Sequence, residues 1–252
     1  MDKETSTAGM SIAIVGGGNV ATHLANALRG KANVSLVNPH TLEGFPETCD
    51  VAIISVKDDA IQEVAQNIKG KAALIAHTSG SKPIDTLAGC ADMTGVLYPM
   101  QTFTKDVPLD YSTIPFFTEG SDEQAEKTLQ RIASAISGSV RHAGSEDRRK
   151  LHLAAVFACN FTNALVGIAD DLLKENGMDY TVMLPLIDQT VRKLHELSPR
   201  EAQTGPAARH DMSVIERQRG MLSPHADFQA IYDRITDFIL NHQTPSTKTQ
   251  LP

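Results

Sequence analysis

The chain has 252 residues, 41% of them hydrophobic and 21% charged, and a formal net charge of −7. That is the composition of an ordinary globular chain with room for two modest domains, and its acidic balance argues against a nucleic-acid or anionic-membrane partner. Three cysteines without paired spacing (Cys49, Cys90, Cys159) predict neither a disulfide framework nor a zinc site. The polar start MDKETSTAGM is unlike a signal peptide, and no apolar run reads as membrane-spanning, so a cytoplasmic protein is expected.

Residues 1–9 read as a disordered lead-in. Ser11–Val15 is an apolar run too short for a helix, and it ends in three glycines. Val20, Ala21, Leu24, Ala25 and Leu28 then recur at helical spacing, so strand, turn and helix follow without a linker. Gly16-Gly17-Gly18-Asn19-Val20-Ala21 fits G-x-G-x-x-A, the turn that seats a dinucleotide pyrophosphate on a helix N-terminus. Gly16 permits the sharp bend, Gly18 leaves the phosphates unobstructed, and Ala21 lets helix and strand pack closely. A methyltransferase would place an acidic residue before the glycines, and Ile12 to Val15 has none.

A second strand over 32–37 ends at Asn38-Pro39-His40-Thr41. An acidic residue here would hold the ribose 2′-hydroxyl of NAD. Asn38 is neutral, and His40 and Thr41 offer donors to a 2′-phosphate, so NADP is favoured, with NAD as the alternative; Asn38-Pro39 is otherwise a plain turn. Further strands are expected over 50–56, 72–76, 96–97 and 114–118, with a helix marked by Ile61, Val64, Ala65 and Ile68 and capped by Asp58 or Asp59. Alternating strands and helices imply a doubly wound, mainly parallel Rossmann-type sheet, with its ligand at the strands' carboxyl ends. That rule places Ser55, Val56 and Lys57, then His77, Thr78, Ser79 and Gly80, on one rim with the glycine turn, and Tyr98 and Gln101 beside them.

A helix over 122–136 and a short strand over 137–141 close this part, and strand signals then stop. The expected division is a dinucleotide-binding domain, 1–144, and a helical domain, 145–252, which the resemblance given below makes the substrate and dimerisation domain. Arg148-Arg149-Lys150 is expected on a solvated first turn. The helix over 145–176 is apolar nearly all round, which predicts burial on several sides. Helices over 180–197 and 224–240 flank a polar loop, 198–211, and Ser213 with Glu216 fits a capping box. The tail from Asn241 reads as unstructured.

The GGGNVA turn, SVKDDAI, His77-Thr78-Ser79-Gly80, Tyr98-Pro99-Met100-Gln101-Thr102-Phe103, the run 152–160 and Thr204-Gly205-Pro206 together resemble one group. It is the bacterial Rossmann-like NADP-dependent oxidoreductase family with a helical C-terminal domain of unknown function. More distantly the layout is similar to pyrroline-5-carboxylate reductases, 3-hydroxyacid dehydrogenases and ketopantoate reductases. The resemblance implies a homodimer, with a loop such as the one bearing Arg209 approaching the partner's cofactor. Many members carry His where Tyr98 stands and Pro where Lys57 stands. The lysine that 3-hydroxyacid dehydrogenases place four residues before an Asn is replaced by Val156 ahead of Asn160.

Hydride transfer also needs a proton donor. His152 is the first candidate, with Asn160, about 12 Å along an α-helix, orienting the substrate; a packed helix histidine is the alternative. Tyr98, Gln101 and His77 at strand ends form a second set, unless Tyr98-Pro99 is only a rigid turn and His77 lines the nicotinamide and ribose with Thr78, Ser79 and Gly80. Arg209 suits a carboxylate-bearing substrate, unless it pairs with Asp211 or caps a helix. The expected activity is NADP-dependent reduction or oxidation of a small 2-oxo or hydroxy acid, ketopantoate-like, or of a cyclic imine. A non-catalytic NADP(H) sensor or assembly protein is the rival.

Overall fold

In the computed structural model, which describes residues 7–242, β1 (Ser11–Val15) runs through the glycine turn into α1 (Asn19–Leu28). β2 (Asn33–Val37), β3 (Cys49–Ile54), α2 (Ile61–Asn67), β4 (Ala72–His77) and β5 (Met93–Pro99) follow. β6 (Pro115–Gly120), α3 (Glu123–Ser134) and β7 (Ser139–His142) complete the sheet and its cover. The strands lie in the order β2-β1-β3-β4-β5-β6-β7. The chain leaves β1 first toward β2 and later returns to its other side at β3, so the switch point falls at the carboxyl ends of β1 and β3.

Side-chain alternation places this sheet between two helical layers. Ile12, Ile14, Val51 and Ile53 pack with Leu24, Leu28, Leu129 and Ile132 of α1 and α3. Ala13, Val15, Ala52 and Ile54 face the other way, onto Ile61, Val64 and Ala65 of α2. Four parallel pairings join the first five strands, whereas β6 runs antiparallel to β5. The cause is the connection: residues 100–114 contain only the 3-10 turn Tyr111–Thr113. No crossover element carries the chain back to the starting edge.

The fold corrects several local expectations. Of the proposed lead-in, 1–6 lie outside the described residues, but Thr7 is buried and its hydroxyl donates to the Lys31 carbonyl at 2.8 Å. The strand over 96–97 extends across Met93–Pro99, so Tyr98-Pro99 is strand, not turn. Neither Asp58 nor Asp59 caps α2; a 3-10 turn, Asp58–Ala60, precedes it, and both carboxylates are engaged elsewhere.

The chain divides into two compact units, one ending at Phe161 and one beginning at Thr162. The first closes with α4 (Ser145–Ala155) and a π-helical turn, Val156–Phe161. The second holds α5 (Thr162–Lys174), α6 (Leu184–Lys193), α7 (Pro199–Ala202), α8 (Met212–Met221) and α9 (Ala226–His242). The helix expected over 145–176 is therefore interrupted by a wider turn. By length and composition alone Ser145–Lys174 is long and apolar enough to cross a membrane, against the expectation that no apolar run reaches that length. Its expected burial is also absent: Leu153, Phe157, Phe161 and Leu165 are exposed, Phe157 by 64%.

In the second unit the loop over 198–211 contains α7, fixed by a capping box between Ser198 and Glu201. The start of α8 is capped by Asp211, which accepts from the Val214 amide and from the Ser213 hydroxyl; Ser213 is not the cap. Asn241 and His242 belong to α9, and the rest of the expected tail lies outside the described residues.

Candidate active site

At the switch point a cleft of about 810 Å³ opens in the first unit, lined by Gly17, Gly18, Asn19, Val20, His40, Ser55, Val56, Lys57, Thr78, Ser79, Gly80, Tyr98, Gln101 and His152, with the carboxylates Asp58 and Glu63 among its other lining residues. Two observations bear on what it could hold. A Cβ on Gly17 or Gly18 would meet nothing within 4 Å, so both backbones border open space. No side chain caps α1 and its first turn carries no acidic residue. Unpaired amides and the helix dipole there suit a diphosphate.

Gly16 stands behind the cleft. Its φ is +151°, and a Cβ there would lie 2.1 Å from the Ser55 carbonyl oxygen. β1 and β3 approach this closely because nothing projects between them. Asn38 turns inward as well: its Oδ1 accepts from the His40 and Thr41 amides at 2.9 and 3.3 Å. Thr41 Oγ1 accepts from the Glu43 amide, and Pro39 and His40 are the members of this turn that line the cleft.

Neighbouring loops are tied onto this frame. Asn19 Nδ2 donates to the Phe103 carbonyl at 2.8 Å, and one turn later His23 is buried between the Tyr111 hydroxyl and the Thr104 carbonyl, both at 2.9 Å. These contacts tie Phe103, Thr104 and Tyr111 to α1, just beyond the glycine turn. The sequence reading missed His23, although Asn19 and His23 share a helix face at i, i+4 spacing. Gln101 Oε1 accepts from the Thr102 amide at 2.8 Å, so its carbonyl shapes the loop.

At the other end of the cleft the Tyr98 hydroxyl lies 3.3 Å from His152 Nδ1, with the two rings edge to face. Burial raises the Tyr98 pKa, so the phenol keeps its proton. A Cβ on Gly80 would approach both His152 Nδ1 and Tyr98 Cζ to 2.8 Å, so glycine there lets the pair meet. Asn160 is exposed on the π turn, whose wider winding alters the rotation that separates it from His152. Arg209 is exposed on the 3-10 turn Ala207–Arg209 of the second unit.

His77 is inside the protein, not on the rim. Its Nδ1 accepts from the Ser79 amide and its Nε2 faces the Pro83 carbonyl at 3.3 Å. Burial first, and then the charge of Arg148, push its pKa down from 6.5 to about 4, against the hydrogen bond to Pro83. Between those values the unfolded chain binds a proton that the folded one refuses. Stability from this group is complete above pH 6.5 and is lost toward pH 4, by about 3 kcal/mol. Thermal unfolding followed from pH 7 to 4 should show that decline, and His77→Gln should make it shallower.

Arg148, expected in solvent, is wholly buried and paired with Glu119 of β6. Burial alone would raise the Glu119 pKa, but hydrogen bonds from Arg148 and Ser145 outweigh it and hold the carboxylate below its usual range.

A family described as a domain of unknown function, DUF2520, matches residues 114–239. A Bacteroides fragilis protein, provisionally named an NADP oxidoreductase, is 39% identical, with 92% of this chain and 98% of that one covered and a TM-score of 0.87. A Streptococcus pyogenes 1-pyrroline-5-carboxylate reductase is 14% identical over 92% and 99% of the chains, TM-score 0.60. A Myxococcus stipitatus imine reductase in complex with NADP+ is 13% identical over 92% and 93%, TM-score 0.58. The last two are likenesses of fold. No curated protein matches the sequence.

Proposed function

Because the chain belongs to the family defined by the domain of unknown function DUF2520, and is 39% identical to a protein provisionally named an NADP oxidoreductase, we propose that it is an NADP-dependent oxidoreductase. One observation carries this reading: an uncapped helix N-terminus behind a turn without side chains opens into the same cleft as a hydrogen-bonded Tyr–His pair. The amides of Gly18 to Val20 would hold the diphosphate, with Gly17, Ser55, Val56 and Thr78 along its path. His40 and Lys57 supply positive or donor groups for a 2′-phosphate, and no carboxylate stands at Asn38 to repel it. When bound, NADPH supplies the hydride. Tyr98 and His152 supply the proton to the oxygen or nitrogen that becomes basic, and Gln101 helps orient the substrate.

The substrate class is a small 2-oxo or hydroxy acid or a cyclic imine, and Arg209 is assigned to its carboxylate. Residues 1–144 bind the cofactor, while 145–252 bind substrate and a second copy of the chain. Burial in the second unit supports the dimer. Among its described residues only Ala207, Ile215, Leu222 and Thr236 are buried, whereas Val182, Leu186, Met221 and Phe238 are exposed. An apolar cavity of about 270 Å³, lined by Leu165, Leu172, Phe228 and Ile235 among others, awaits a complement. Helices with so little core of their own need a partner to be stable. Sedimentation equilibrium should give twice the chain mass, and Phe238→Asp should shift the protein to monomer with a lower Tm. Unpaired Cys49, Cys90 and Cys159 accord with a reducing, cytoplasmic setting.

The test is calorimetric titration with NADPH and NADH, followed by loss of the reduced-nicotinamide absorbance with panels of 2-oxo acids and cyclic imines. Binding of NADPH over NADH with turnover on either panel is expected. NADPH binding without consumption on any member would favour the sensor, and no binding of either nucleotide would overturn both readings.

A further inference from the structure

Residues 79–82 connect β4 to the rest of the rim, and they place Gly80 against the Tyr98–His152 pair. This loop is gripped from two sides. Toward the glycine turn, the Ser81 hydroxyl donates to Asp58 and Lys82 pairs with Asp59 at 3.2 Å. From beneath, Arg148 reaches it through backbone atoms: Nε donates to the Ser79 carbonyl at 3.2 Å and Nη2 to the Lys82 carbonyl at 2.6 Å. The remaining guanidinium hydrogens go to Glu119, the Ala143 carbonyl and Ser145 Oγ. All five N–H donors of a wholly buried guanidinium are thereby used. Ser145 in turn donates to Glu119 and accepts from the Ile84 amide.

We propose that Arg148 is a positioning residue for the hydride-transfer end of the cleft, acting through the Ser79 and Lys82 carbonyls to hold Gly80 against Tyr98 and His152. The proposal rests on the oxidoreductase reading above. A buried cation is costly unless fully paired, and its planar fork spans the carbonyls at both ends of a four-residue loop. Lysine keeps the charge but cannot reproduce that fork. The pairing with Glu119 fixes the guanidinium itself to β6, so the loop is referenced to the sheet.

The test uses the full chain and two measurements on wild type and Arg148→Lys. Amide exchange is read at Ser79, Ser81, Lys82 and Ile84, whose N–H groups are bonded, and at β1 and α3 for comparison. NADPH and 2′,5′-ADP are titrated as probes of the whole cleft and of its nucleotide half. The expected result is faster exchange confined to the loop, NADPH bound about tenfold more weakly, and 2′,5′-ADP bound within about twofold of wild type. Unchanged loop exchange, unchanged NADPH affinity, or parallel loss of both ligands with general acceleration of exchange would each overturn it. If wild type binds neither probe, the oxidoreductase reading fails, and exchange alone decides whether Arg148 holds the loop. Should Arg148→Lys not fold, Glu119→Gln, which strips the counter-charge, must show the same confined loosening or the proposal falls.

Discussion

Gly18→Ala is expected to unfold at the same denaturant concentration as wild type and to bind NADPH about 100-fold more weakly. Gly16→Ala is expected to do the opposite damage, failing to fold cooperatively. The two glycines are two residues apart, yet their surroundings differ completely. Gly18 has φ −80° and ψ −176°, an extended conformation open to any residue, and its Cβ would project into empty space. A methyl group there displaces only a ligand. Hydrogen bonds to charged groups contribute about 1.5–3 kcal/mol each, so losing one or two phosphate contacts gives the hundredfold effect. Gly16 meets the Ser55 carbonyl carbon as well as its oxygen, at 2.9 and 2.1 Å. Neither backbone can yield, because Ser55 N–H donates to the Val15 carbonyl at 2.8 Å and Gly16 N–H to the Val37 carbonyl at 3.0 Å. Clash and forbidden φ together should cost about 4 kcal/mol or more, a large share of a domain's stability. Urea unfolding and NADPH titration on the two variants separate the effects. A Gly18→Ala protein that binds NADPH normally would remove the phosphates from this turn.

The sheet was legible because its signals are local. Apolar runs, the glycine turn and helical periodicity placed β1, α1, β4 and α3 to within a residue or two, and the short strand at Val96 was found though not its length. What could not be read were relationships across the chain. Arg148 sits among charged neighbours, and only Glu119 and the loop carbonyls, from 29 to 69 residues earlier, turn it into a core residue. His77 lies in an apparently polar rim motif, yet it falls at the last position of a strand and points into the core. Asn38 stands just after β2 as a polar residue, and its side-chain oxygen serves the turn, a local bond that the sequence does not reveal. The antiparallel β6 followed from a connection without a helix, which the apolar run at 114–118 does not reveal. The exposure of Leu153, Phe157, Phe161 and Leu165 was equally illegible, because apolar composition alone does not say what covers a helix.

Tyr98→Phe and His152→Gln should each lower turnover by about 100- to 10,000-fold on whichever substrate the panel identifies, the range for loss of a general acid, while NADPH affinity stays within about threefold. The argument is positional. The phenol and imidazole share a hydrogen bond at 3.3 Å in the cleft, and burial keeps the phenol protonated. Because one proton serves both groups, the double variant should be little worse than the poorer single one. Gly80→Ala makes an independent check, since its methyl would wedge between the two rings at 2.8 Å from each without touching the glycine turn. It should reproduce the turnover defect in a protein that still binds 2′,5′-ADP. If Tyr98→Phe retains full turnover while His152→Gln does not, the imidazole is the acid and the phenol its orienting partner. If both variants turn over normally, the proton comes from elsewhere in the cleft or from water, and the pair is packing.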